Sequence, residues 1–447
     1  MHEWDASTEL LAHSVIGYAI ERLKVAKDPH WGARPAAELD EHLRGTVSEL
    51  GIGGHEALRI FRDVLMPATR PLDDPMALAY VPTAPSPAAT LFDLVVSASS
   101  IFAGHWEAGA GAIAAENQAL RWLGDLAGFP EDAGGCFVSG GSSANLSALV
   151  AARFAAEKRM TRPLRWQIIA TAESHASIRA AARVMDIDVV TVPADERGRM
   201  HGSDVERAIR EHDGVFAVVA NGGSTNAGAV DDLRSIAEVC RANNVWLHID
   251  GAYGLAALCA PSAVAEFDGI DLADSFSIDP HKWLFAPYDC SALVYRDPKI
   301  AAEAHAQHGE YLDAIDRGEW NPADYAYHLS RRARGLPLWF SLATYGVAGY
   351  RDAVETTLDT AREFAKEVHI RPEFELLLDP QLSVVLFTRV GWTDAEYHAW
   401  STSRARDGVA LIVSTTWRSA TCFRVCVVNP RTSIDALRGV LDDMAQS

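Results

Sequence analysis

Five short apolar runs recur through the middle of the chain: Trp166–Thr171, Ile187–Val192, Val215–Asn221, Val245–Asp250 and Leu272–Ile278, with helical patterns between several of them. Strand runs that alternate with helices imply a mostly parallel sheet with helices on both faces, hence an α/β fold. Open sheets of this kind bind ligands beyond the carboxyl ends of their strands. The residues that follow each run are therefore where chemistry is expected. At 447 residues the chain is long enough for one large α/β domain with smaller flanking parts.

Two of those run ends carry reactive groups. The stretch Asp274-Ser275-Phe276-Ser277-Ile278-Asp279-Pro280-His281-Lys282-Trp283 reads as an apolar strand that stops at Pro280 and presents a His-Lys pair. Lys282 is followed by Trp283, Leu284 and Phe285, surroundings expected to strip an ammonium of hydration and lower its pKa. A neutral amine of that kind attacks carbonyls. A lysine in apolar sequence also often packs its stem and sends its head to water. Upstream, Trp246-Leu247-His248-Ile249-Asp250-Gly251-Ala252-Tyr253-Gly254 puts Asp250 at the end of another strand, where it could equally cap the next helix. Lysine and aspartate together, each ending a strand, suggest pyridoxal phosphate (PLP). The lysine binds the aldehyde, and the aspartate keeps the pyridine nitrogen protonated so that the ring accepts electrons.

A third feature is the Gly-rich turn Phe137-Val138-Ser139-Gly140-Gly141-Ser142-Ser143-Ala144-Asn145, which runs into an amphipathic helix from Asn145 to about Glu157. Glycines let backbone approach an anion, and free N–H groups at a helix start hold phosphate. It is no Walker motif, because the lysine and its spacing are absent, and an ordinary Ser/Asn-capped helix is the competing reading. Gly109-x-Gly111-x-x-Ala114 matches a loosened dinucleotide fingerprint but follows no strand, and the helix Ile113–Leu126 is better explained as core packing.

Ser277-x-Asp279-Pro280-His281-Lys282-Trp283, with His248-x-Asp250-Gly251-Ala252-Tyr253 before it, resembles the group II PLP-dependent amino-acid decarboxylases, which include the aromatic and glutamate enzymes. The resemblance runs from about Pro29 to Met444. It implies PLP fold type I: a large domain with a mostly parallel sheet of seven-stranded type, an N-terminal helical arm and a small C-terminal α+β domain. It also implies a homodimer with active sites at the subunit interface, and loss of the α-carboxylate as carbon dioxide. Whichever Cα bond stands perpendicular to the cofactor ring is the one broken, so placing the carboxylate there gives decarboxylation.

Residue by residue, the resemblance makes Lys282 the cofactor lysine and Asp250 the pyridine partner. Gly141 and Ser142 take the phosphate, with Ser277 and Asp279 nearby, and Ala252 and His281 stand among the cofactor contacts. His175, in Ala172-Glu173-Ser174-His175-Ala176-Ser177, matches the histidine that covers the ring, against the alternative of a structural histidine. Thr225 is the choice within the turn from Gly222 to Asp231. The proline-rich stretch from Ala79 to Pro87 matches a loop that lines the substrate pocket, which nominates Tyr80 and Thr83; a surface turn is the alternative. Trp106 is a further substrate candidate, although its surroundings lack the proline that follows it in the family. Residues 305 to 330 are polar and punctuated by Gly and Pro, which suggests a mobile loop or a plain surface connection. On that loop Tyr325 matches the proton donor best, with Tyr327 close by, and Arg334 follows as a residue that orients loop or substrate. The loop around Tyr80 is nearer the aromatic-type enzymes, so an aromatic or bulky apolar substrate is expected.

The expected division is a helical arm over 1–75, a PLP-binding domain over 76–340 and a small domain over 341–447. Helical patterns run Leu10–Leu23, Ala36–Leu50 and His55–Leu65 in the arm. The small domain opens with a long helix from Ser341 to Val368, has strands at Ser383–Val390 and Cys422–Val428, and closes with a helix at Ile434–Met444.

Forty Lys+Arg against 60 Asp+Glu give a net charge of −20, which argues against nucleic acid or an anionic membrane as partner. No basic-then-apolar leader opens the sequence, and no apolar run approaches a membrane span. The six cysteines lack the close pairs of a zinc site, so no metal is expected, and they read as reduced thiols of a cytoplasmic protein. Two other chemistries stay open on the same scaffold, oxidative deamination to an aldehyde and carbon–carbon lysis. A PLP-binding homologue without turnover is the reading from another class.

Overall fold

The computed structural model describes residues 2–24, 31–307 and 318–447. A seven-stranded sheet forms its centre, built from β1 (Gly134–Val138), β2 (Gln167–Thr171), β3 (Asp188–Val192), β4 (Val215–Asn221), β5 (Trp246–Asp250), β6 (Ser275–Ile278) and β7 (Ser291–Tyr295). Their order is β1-β7-β6-β5-β4-β2-β3. The ladders β2/β3, β2/β4, β4/β5 and β5/β6 are parallel, while β7 runs against both β6 and β1. Every residue of β4 is buried, and its side chains alternate between the two faces: Val218 and Ala220 pack into one apolar layer, Ala217 and Val219 into the other. This two-sided burial is why the run reads as continuously apolar.

The helices are, in the arm, α1 (Ala6–Lys24), α2 (Ala36–Leu43) and α3 (Gly54–Ile60), then α4 (Pro87–Ala98), α5 (Trp106–Leu126), α6 (Gly141–Glu157), α7 (Ala176–Met185), α8 (Gly202–Glu211), α9 (Leu233–Asn243), α10 (Pro280–Trp283) and α11 (Pro298–His305). α12 (Leu336–Ile370), α13 (Asp394–Arg406) and α14 (Ile434–Gln446) complete the set among the described residues. None of α1, α2 or α3 contains a buried residue.

A second, antiparallel sheet contains β8 (Phe374–Leu376), β9 (Val384–Arg389), β10 (Val413–Trp417) and β11 (Ala420–Cys426), in the order β10-β11-β9-β8. Its core is aromatic: Phe387 and Phe423 stand 5.7 Å apart at the centre, under Phe364 of α12, Trp400 of α13 and Leu441 of α14. Met76 to Ala79 joins this unit. The Leu78 N–H donates to Leu411 O, the Cys426 N–H donates to Leu78 O, and the Leu78 side chain lies in the aromatic core. The residues from Met76 to Ala79, which the expected division puts in the PLP-binding domain, thus pack with the smaller sheet, and α12 runs through residue 341 with a break at Gly346 (φ 70°).

Other elements begin or end elsewhere than the patterns predict. The helix expected over Ala36–Leu50 stops at Leu43, because Gly45 turns into the left-handed region at φ 79°. The strand expected from Leu272 starts at Ser275, since Ile270–Leu272 forms a 3-10 turn after Gly269. The helix expected from Asn145 begins at Gly141, which changes what the Gly-rich turn presents.

Candidate active site

The carboxyl ends of β2, β4, β5 and β6, with the start of α6, surround one cavity open to solvent and enclosing about 440 Å³. Its walls are Gly141, Ser142, Asn145, His175, Asn221, Gly223, Thr225, Asp250, Ala252, Tyr253, Asp279 and Lys282. This is the crevice that strand ends of a parallel sheet create.

Lys282 owes its position to the residues on either side of it. Asp279 precedes α10, Pro280 opens it, and Trp283 is wholly buried, stacked 5.2 Å from the Tyr253 ring with its indole N–H donating to Thr357 Oγ1 at 2.8 Å. Locking Trp283 leaves Lys282 to project into the cavity. There Nζ lies 2.8 Å from Asp279 Oδ2. The lowered lysine pKa expected from the apolar neighbours is corrected by this contact. Burial pulls Lys282 down, but the charge of Asp279 and its hydrogen bond outweigh burial and leave the lysine raised. Asp279 answers in the same sense: burial pushes it up, yet Lys282 and His281 hold it below the ordinary carboxylate range.

Asp250 ends β5 and is held by Asn145, whose Nδ2 donates to Asp250 Oδ2 at 2.8 Å and to Ser177 Oγ at 3.0 Å. His175 caps α7: its Nδ1 accepts the Ser177 N–H at 3.2 Å and lies 2.8 Å from Ser177 Oγ. At the α6 end, Gly140 offers no side-chain cap, so the first N–H groups stay available to an anion. A Cβ at Gly141 would stand 3.0 Å from Ala252 Cβ and 3.2 Å from Asp279 Oδ2, so the glycine keeps this cradle open. A lysine for an aldehyde, an aspartate for a ring nitrogen and a helix start for a phosphate all open on one cavity, and that donor set fits PLP.

Several nominated residues stand elsewhere. Ser277 is fully buried behind the cavity wall, its Oγ donating to Asn145 Oδ1 at 3.2 Å, and buried His281 backs Asp279 at 3.7 Å; both act through neighbours instead of facing the cavity. Tyr80 (φ 58°) and Thr83 do not line it. Trp106 opens α5 with its N–H on Asn321 Oδ1, and Arg334 donates from Nε to Asp289 Oδ1 and faces a different pocket, with Ser139, Tyr327 and His328. Tyr325 is also outside the cavity. It is buried, stacked 4.1 Å from Trp320, and its carbonyl accepts the Tyr295 hydroxyl. Residues 308–317 of the expected loop lie outside the described residues.

Three contributors escape the sequence reading. Asn145 stands in the Gly-rich motif but signals only a helix start. Asn221, at the end of β4, donates from its backbone N–H to Asp231 Oδ2 at 2.6 Å and from Nδ2 to the same oxygen at 3.1 Å, a clamp the Asn-to-Asp spacing alone does not announce. Arg424 is buried in β11 and donates from Nε to Thr225 O at 2.8 Å and from Nη1 to Tyr80 O. Its signal is an arginine inside an otherwise apolar strand.

A sheet of this order with such a cavity at its switch point defines a fold type I PLP enzyme. The pyridoxal-dependent decarboxylase conserved domain matches residues 55–390, and the chain belongs to that family. It is similar to an aromatic-L-amino-acid decarboxylase of Bacillus atrophaeus, 30% identical over 95% of this chain and 93% of the relative. An L-2,4-diaminobutyrate decarboxylase of Rhizobium meliloti (strain 1021) is 28% identical over 91% of this chain and 85% of its own. In fold it is similar to Oryza sativa TDC solved with PLP and tryptamine, with a TM-score of 0.92 at 24% identity over 100% of this chain and 98% of that one. The protein is a PLP-dependent amino-acid decarboxylase.

Proposed function

We propose that the substrate is an L-amino acid with an aromatic or bulky apolar side chain, and that the enzyme works in the cytoplasm as a homodimer with its sites at the subunit interface. The observation that carries the site assignment is the convergence of Lys282, Asp250, His175 and the α6 N-terminus on one cavity. When bound, PLP supplies the electron sink for the bonding pair of the Cα–carboxylate bond. Lys282 supplies the amine that attaches to the aldehyde carbon. Asp250, oriented by Asn145, holds a proton at the ring nitrogen, and His175 is assigned the ring face. The N–H groups of Gly141 and Ser142 take the phosphate.

Two observations favour the side-chain class. The Bacillus relative is an aromatic-L-amino-acid decarboxylase and is matched over almost all of this chain. Arg424 also grips the carbonyls of Tyr80 and Thr225 with one guanidinium, which ties the Tyr80-Val81-Pro82 loop to the Thr225 edge of the cavity. The dimer is supported by α4. Leu91, Leu94 and Val95 share one helical face and are 50%, 53% and 49% exposed. The arm helices, without a buried residue of their own, likewise need another surface to cover them. All six cysteines are free, as a reducing compartment allows, and no helix among the described residues is long and apolar enough to cross a membrane.

A mass-spectrometric screen tests the substrate: the holoenzyme is offered the common amino acids and 2,4-diaminobutyrate, with Lys282→Ala as control. An aromatic or bulky amine that appears only with Lys282 intact is the expected result. A diamine would overturn the side-chain class, and aldehyde with ammonia would move the reaction to oxidative deamination.

A further inference from the structure

We propose that Asn145 is the positioning residue of this enzyme, a single amide that orients both Asp250 and His175. Asn145 is 1% exposed at the first turns of α6 and sits at the branch point of a buried chain of hydrogen bonds. The direction of each bond follows from Asp250. As a carboxylate it can only accept, so the group 2.8 Å from Oδ2 is Asn145 Nδ2, and Asn145 Oδ1 points the other way. Oδ1 then accepts from His248 Nε2 at 2.9 Å and from Ser277 Oγ at 3.2 Å. His248 is completely buried and burial pulls its pKa well below the ordinary imidazole range, so the ring is neutral and its proton is on Nε2. Its Nδ1 therefore accepts from Ser275 Oγ at 2.8 Å, and that hydroxyl in turn accepts from the Trp246 indole N–H at 2.9 Å.

The other amide proton of Asn145 goes to Ser177 Oγ at 3.0 Å, which frees the Ser177 hydroxyl proton for His175 Nδ1 at 2.8 Å. The Ser177 backbone N–H points at the same nitrogen. His175 Nδ1 is thus an acceptor twice over, and the ring proton resides on Nε2. One side chain accordingly holds Oδ2 of the carboxylate meant for the ring nitrogen, whose Oδ1 accepts the Ala252 N–H at 3.2 Å, and through Ser177 it supports the tautomer of the histidine meant for the ring face. Serine or alanine at this position would leave His248 Nε2–H, Ser177 Oγ and Asp250 without their common partner.

This assignment rests on the cavity being the cofactor site, and Lys282→Ala, expected to abolish the visible absorption of lysine-bound PLP, tests that reading by itself. Asn145→Leu keeps the branched shape and the number of heavy atoms and removes both hydrogen-bonding ends. With PLP added, its affinity is expected to fall by about 10–100-fold, as for other lost supporting contacts. The pH midpoint of the visible absorption of the bound cofactor is expected to move by about one to two units, the worth of one hydrogen bond to a charged group. In turnover, kcat falls while KM holds. Ser177→Ala cuts only the arm to His175, so it lowers kcat and leaves that midpoint in place. If Asn145→Leu does not fold, Asn145→Asp decides: below the titration of the pair, the introduced carboxyl group and Asp250 share a proton and cofactor binds, and above it two carboxylates repel and affinity is lost. An unchanged midpoint and an affinity within about two-fold in whichever variant folds would leave Asn145 a packing residue and overturn the proposal.

Discussion

Lys282 Nζ lies 2.8 Å from Asp279 Oδ2, and both groups belong to the short segment that ends β6 and forms α10. The contact reverses the effect of the apolar surroundings, so in the protein before cofactor attaches, the lysine is held as an ammonium. The signs are those of a stabilising pair. The raised lysine contributes stability that is fully present below its unfolded value of 10.5 and is lost as pH climbs through its higher folded value. The lowered Asp279 contributes stability that is present above 3.8 and is lost as pH falls through its lower folded value. Attack on the PLP aldehyde needs the neutral amine, so uptake of cofactor by the apoprotein is expected to accelerate with rising pH. Asp279→Asn leaves burial as the leading influence, and the uptake profile should move down by about 1–3 pH units. Stopped-flow absorbance across pH measures this, and an unmoved profile would sink the account.

Much of the large sheet was legible because burial on both faces writes β4 as an apolar run that only Asn221 ends and β5 as one that only His248 interrupts before Asp250. β1 was not, for a reason visible in its packing. Two glycines open it, and a Cβ at Gly134 would fall 2.5 Å from Trp320 Cη2 and one at Gly135 would fall 1.8 Å from Leu293 O. The close approach that excludes side chains also erases the strand signal. α13 escaped because little of its surface is apolar, although Thr393-x-x-Glu396 forms a full capping box that the sequence displays. Lys282, Asp250 and His175 could be read from motifs because each follows a strand. Asn145 and Arg424 matter through partners far away in sequence, His248 and Thr225 among them, and no local pattern encodes those distances.

Glu116 of α5 and Arg331 form a bidentate pair at 2.7 and 2.8 Å with side chains 2% and 0% exposed. Glu116 also accepts the Gly335 N–H at the start of α12, and Arg331 donates to Ala103 O. Glu116→Gln removes the charge and leaves a buried guanidinium uncompensated, an expected loss of about 3–5 kcal/mol in urea unfolding. Glu116→Leu with Arg331→Met should recover most of that loss, because a buried pair replaced by apolar groups is close to neutral. Equal stability of Glu116→Gln and the parent protein would show that the pair contributes nothing.

Leu94→Glu places a charge in the middle of the outward face of α4 and is expected to yield monomers at concentrations where the parent protein dimerises, read by light scattering. If the sites form at the interface, turnover per chain falls with dissociation. A monomeric variant with full activity would separate the reaction from the dimer, and a variant that stays dimeric would place the interface elsewhere.

The packing of Tyr325 argues against a proton donor that swings in when a site closes. Its ring stacks on Trp320 at an interplanar angle of 15°, Trp320 is tied by its indole N–H to Gly135 O of β1, and the Tyr325 carbonyl accepts the Tyr295 hydroxyl at 3.1 Å. Burial pushes the phenol pKa up, which weakens it further as an acid. General acid catalysis contributes about 10²–10⁴-fold where it operates. Tyr325→Phe is therefore expected to keep turnover within about three-fold of the parent, far from the loss that a missing acid would cause. A drop of about 10²-fold or more would return Tyr325 to the reaction path, against the packing described above. Tyr327, 83% exposed, is the other member of the expected pair, so Tyr327→Phe is the companion measurement. If both variants turn over normally, Tyr311 is the tyrosine left to replace between residues 305 and 330.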